Sequence, residues 1–68
     1  MMNTIGKQIR ERRIFLQINQ QTLADLAGIG INTLVAIERG KGNPSLKTLQ
    51  PVLNALGMEL SCQLKPNF

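Results

Sequence analysis

Histidine, tryptophan and tyrosine are absent from these 68 residues, and cysteine occurs once. Each gap closes a class of chemistry. Without histidine, neither a Ser-His-Asp triad nor an imidazole general base can be assembled. With Cys62 as the lone thiol, an intramolecular disulfide cannot form, and a His/Cys zinc site is close to excluded. The acids Glu11, Asp25, Glu38 and Glu59 are scattered rather than paired for acid–base work. An enzyme is therefore not expected, and no metal or cofactor is implied. Two phenylalanines are the whole aromatic content, too few stacking platforms for a binder of single-stranded nucleic acid. No run approaches the roughly 18 consecutive apolar residues of a membrane span. The opening "MMNTIGKQIR" lacks the apolar stretch of a signal peptide. These features, with one free thiol, point to the cytoplasm.

What is present is positive charge. Eight Lys and Arg against four acids give a net charge of +4. That balance suits an anionic partner, and for one small domain nucleic acid is the first candidate. A chain this short buries only about 60% of the surface its unfolded form exposes. Without disulfide or metal, association with a second copy is the expected source of further stability.

Apolar spacing predicts mostly α structure. Residues 3–16 form a first helix on Ile5, Ile9 and Leu16, joined by Phe15, with Asn3 or Thr4 as cap. Lys7, Arg10 and Arg12 read as a solvated face, with phosphate contact the alternative for Arg10 and the Arg12 stem lying along apolar surface. "QINQQTLADLAG" predicts a second helix of about eight residues, capped by Asn19 and stopped by Gly28. A third covers 31–39, with Gly30 at its start, Leu34 and Ile37 inward and Gly40 at its end. Ser45 caps a fourth through residue 56, on the stripe Leu46, Leu49, Leu53 and Leu56. Pro51 inside it predicts a kink, with the proline on the exposed side. "MELSCQLKP" then alternates, placing Met58, Leu60, Cys62 and Leu64 on one face of a half-buried strand. A lone strand leaves a row of backbone groups unpaired, so it needs a partner, and a two-fold-related copy would supply one.

The second and third helices meet the local demands of a helix-turn-helix. Such a pair needs small residues where the helices cross, a glycine in the turn and apolar anchors around it. Leu23, Ala24, Ala27, Gly28, Ile29, Leu34 and Ile37 fill those places. "NQQTLADLAGIGINTLVAIERGKGNPSLKTL" thus resembles the λ/Cro-type (XRE-like) repressors. "IGKQIRERR" resembles that family's first helix and "LNALG" its fourth. The resemblance implies a compact bundle of four to five short helices, with residues 3–57 as the DNA-binding domain, 58–65 as a dimerisation strand and 66–68 as a tail. A strand in place of a fifth helix is similar to the HipB-type antitoxins. Those proteins pair with HipA-type kinases, repress their own operon and join C-terminal strands across the dimer axis. The resemblance also implies a bacterial protein, nucleoid-associated when bound to DNA.

The same resemblance places Ile31, Asn32, Val35 and Ala36 against base edges in the major groove. Asn32 alone among them can make a bidentate contact, with adenine as the expected target; the others suit thymine methyl groups. Phosphate contacts would come from Asn19, Gln20, Thr33, Arg39, Lys41 and Asn43, with Asn19 serving equally as a helix cap. Arg13 and Glu38 match a structural ion pair. Gln17 stands where the family often has a helix-ending glycine, a substitution costing about 1 kcal/mol if φ is positive. The implied function is a homodimeric repressor of a pseudo-palindromic duplex site, autoregulatory and the antitoxin of a HipA-type kinase. The alternative is a protein-interaction module on the same scaffold, with Ile31 and Val35 buried against a partner protein.

Overall fold

The computed structural model describes residues 2–60, which form four helices and no strand: α1 (Met2–Phe15), α2 (Gln20–Ala27), α3 (Ile31–Glu38) and α4 (Leu46–Ala55). Ile9 of α1, Leu23, Ala24 and Ala27 of α2, Leu34 and Ile37 of α3, and Leu49, Val52, Leu53 and Leu56 of α4 and its end make one buried core. Ile5, Ile18, Ile29, Ala55 and Met58 pack around it. The seven residues that suggested a helix-turn-helix all lie in or against this core or, for Gly28, in the turn itself.

Caps set the boundaries of the inner helices. Asn19 Oδ1 accepts from the Thr22 N–H at 2.8 Å, and Ser45 Oγ from the Thr48 N–H at 3.2 Å. Each satisfies an amide that a helix start leaves without a partner. At the other ends, one pattern recurs four times. The N–H groups of Ile18, Ile29, Lys41 and Met58 reach back to the carbonyls of Arg13, Ala24, Ala36 and Leu53 at 3.2, 3.0, 2.9 and 2.8 Å. The residue before each of these donors is left-handed, as this helix-ending turn demands. Three are glycines; the fourth is Gln17, at φ 61°. The strain expected of Gln17 is therefore present, and the bonds between Arg13 and the Ile18 backbone close the corner around it.

Several expectations are corrected. The first helix begins at Met2, so Asn3 and Thr4 lie within it and do not cap it. Phe15 is 72% exposed, and Ile14 and Leu16 also face solvent, because the apolar spacing runs past the last turn that has a neighbour to pack on. Leu46 is 66% exposed. As the first residue of α4, its side chain tilts back over the N-terminal turn rather than onto the core, and Val52 takes a core place instead. Pro51 lies inside α4 and is half-buried rather than exposed. Residues 58–60 are not a strand; Met58 packs on the core and Leu60 is exposed. Cys62 and Leu64, the remaining residues of the expected dimer strand, lie outside the described residues.

Candidate nucleic-acid interface

Helix α3 is anchored from one side only. Leu34 and Ile37 are buried, while Asn32 and Thr33 are exposed and Ile31, Val35 and Ala36 are open to differing degrees. The sequence gives α3 no acidic residue in its first turn, and α2 likewise. The positive end of each helix dipole is thus left unquenched where an anion would approach. Asn32, Thr33 and Ala36 share a shallow groove with Lys41 and Asn43 from the following loop and Ser45 and Thr48 from the start of α4. Two residues expected to contact bases therefore stand beside three expected to contact phosphates. Ile31 and Val35 do not line this groove.

Gln20 and Arg39 belong to a second groove, with Arg10 and Glu38. Asn19 lines neither; its side-chain oxygen is occupied as the α2 cap. Its exposed amide group is the part that remains available.

Behind the second groove lies the expected ion pair, in a fuller form than the sequence suggested. Arg13 Nε donates to Glu38 Oε2 at 2.7 Å and Nη2 to Oε1 at 3.0 Å, while Nη1 donates to the Ile18 carbonyl at 3.1 Å. Gln20 Nε2 adds a bond to Glu38 Oε1 at 3.1 Å. The two charged side chains are 11% and 3% exposed. The hydrogen bonds that Arg13 donates to Glu38 raise the Arg13 pKa above its ordinary value, against the effect of burial. One carboxylate thus fastens α1, α2 and α3 together.

Sequence reasoning missed three contributors. Arg12 is not a solvated residue: its Nε donates to the Leu56 carbonyl at the end of α4 at 3.0 Å, and its guanidinium carbon lies 5.3 Å from the Phe15 ring centre. A cation at a helix C-terminus also offsets its negative dipole end. Gly6 allows α1 to press on the end of α3; a Cβ there would stand 3.0 Å from the Glu38 carbonyl oxygen and closer still to that of Ile37. Gln20 is tied to Glu38. The faint signal for Arg12 was its position beside the Ile9 stripe; none existed for the others, since each depends on residues distant in the chain.

Two short helices across a glycine turn, one fixed by its core and open at its N-terminal face, define a helix-turn-helix protein. The family described as Helix-turn-helix matches residues 9–61, and the chain belongs to this λ/Cro-like family. An immunity repressor protein of Bacillus phage phi105 is 40% identical over 58 residues, 85% of this chain and 40% of that protein. An HTH-type transcriptional regulator of Methanothermobacter thermautotrophicus is 39% identical over 51 residues, 75% of this chain and 74% of that one. The crystal structure of a restriction-modification controller protein from Aeromonas hydrophila superposes with a TM-score of 0.80 at 33% identity, covering 85% of this chain and 88% of that one. The chain thus spans less than half of the phage repressor. Among the described residues no helix is long and apolar enough to cross a membrane.

Proposed function

We propose that the chain is a sequence-specific transcriptional repressor that binds double-stranded DNA as a homodimer and regulates its own gene. The observation that carries this reading is the single groove holding Asn32, Thr33 and Ala36 beside Lys41 and Asn43. In it a base-reading amide stands next to phosphate-seeking groups on a fixed frame. Its likeness to a phage immunity repressor and to a restriction-modification controller favours repression. Asn32 reads adenine, Ile31, Val35 and Ala36 meet thymine methyl groups, and Asn19, Gln20, Thr33, Arg39, Lys41 and Asn43 grip the backbone. Two copies of α3 enter major grooves about 34 Å apart on a pseudo-palindromic site.

Fluorescence anisotropy with the duplex upstream of its own gene and a shuffled duplex, at low and moderate salt, tests the reading. Native DNA is expected to bind at least ~10³ tighter than shuffled DNA, and Asn32→Ala to cost about 1–3 kcal/mol on the native site. Equal binding to both duplexes, erased by salt, would leave the protein-interaction alternative, for which the apolar pair Ile31 and Val35 outside the groove speaks. The antitoxin role is narrower and rests on the alternating segment from Met58, most of which lies outside the described residues. Affinity purification of the tagged protein from its source cells should then recover a HipA-type kinase, and its absence would remove that role without touching repression.

A further inference from the structure

The second groove is lined by Arg10 of α1, Gln20 of α2, and Glu38 and Arg39 at the end of α3. Its buried floor is Glu38, whose oxygens are already taken by Arg13 and Gln20 and whose charge Arg13 cancels from outside the groove. What faces solvent is a pair of exposed guanidiniums and the Gln20 amide. The ion pair among the described residues is Arg13–Glu38, which leaves both groove guanidiniums without one. Two like charges turned toward one groove repel each other, and an anion between them removes that cost. Gln20 gives Glu38 one of its two amide hydrogens; the other remains for a second acceptor. Donors of this kind match an oxyanion, which guanidinium forks bind with directed, charge-assisted bonds.

We infer that this groove seats a backbone phosphate of the bound duplex, with Arg10 as its contact on α1. The inference rests on the DNA-binding reading and deepens it. Arg10 belongs to a helix outside the helix-turn-helix pair, and Glu38 becomes a positioning residue that turns the Gln20 amide toward the ligand. A third helix then shares in gripping the DNA.

Salt dependence of duplex binding by the full chain tests this. Arg10→Ala should lower the slope of log K against log salt by about 0.9 per site, weakening native and shuffled duplexes alike, and Arg10→Lys should restore the slope. Lys47→Ala removes the same charge from the exposed side of α4, away from this groove, and should change the slope far less. If Arg10→Ala matches Lys47→Ala while wild-type protein binds the duplex, the groove assignment fails and the DNA-binding reading stands. If wild-type protein binds no duplex, both fall. Inorganic phosphate offers the same oxyanion from another source. Titrated into ¹⁵N-labelled protein at low-millimolar concentration, it should give no saturable shift at the Arg10 and Gln20 side chains. Saturation there would make this a free-phosphate site and overturn the assignment to DNA.

Discussion

Glu38 accepts three hydrogen bonds through two oxygens, from Arg13 twice and Gln20 once. A carboxylate so deeply buried is tolerable only when its partners replace the water it has lost. Removing one member therefore costs more than removing the pair. Glu38→Ala should destabilise the fold by about 3–5 kcal/mol, because it strands the Arg13 charge. The double variant Arg13→Met/Glu38→Leu should lie much closer to wild type. Urea unfolding followed by circular dichroism gives both values. Equal losses in the two variants would mean that packing around these side chains matters, and their charge does not. Gln20→Ala leaves the ion pair intact and should cost only about 1 kcal/mol of stability.

At the scale of elements, α1 is held by Ile5 and Ile9 at the core, by Arg13 at Glu38 and by Arg12 at the end of α4. Gly6 sets how closely it approaches α3. In an ordinary helix interior, Gly→Ala stabilises by close to 1 kcal/mol. Here the new methyl would strike backbone carbonyls that cannot rotate away. Gly6→Ala should instead destabilise by about 1–3 kcal/mol, seen as a lower midpoint in thermal melting; a raised midpoint would disprove the close approach. This contrast marks what was legible in the sequence. Asn19, Gly28, Gly30 and Ser45 announce α2, α3 and α4 because caps and turns act within a few residues. The exposed half of α3 was legible for the same reason, since Leu34 and Ile37 leave one side open. The tether of Arg12 to Leu56 spans 44 positions, and no local pattern encodes it. Helical spacing likewise says which residues share a face, but not where the neighbouring helix stops. Hence Phe15 and Leu16 looked like core and are surface.

For the whole molecule, so small a core calls for a supplement from association. Ile14, Phe15, Leu16 and Leu60 are exposed, and the alternating segment from Met58 needs a partner if it extends as a strand. Sedimentation velocity at micromolar concentration should show a dimer for the full chain. A chain ending at Glu59 keeps every core residue and should sediment as a monomer if residues 60–65 pair across the axis. A dimer that survives the cut would move the contact to the end of α1.

Glu38 also fixes a distance within the fold. Gln20 and Arg39 flank it, and α3 cannot slide along α2 without breaking bonds to a buried charge. Under the proposed DNA-binding reading, the span between the side chains assigned to backbone and to bases is thus a fixed length, a gauge rather than a hinge. A duplex that does not match the gauge must itself twist or bend, and base steps differ in how cheaply they do so. Selectivity would then extend to base pairs that no side chain touches.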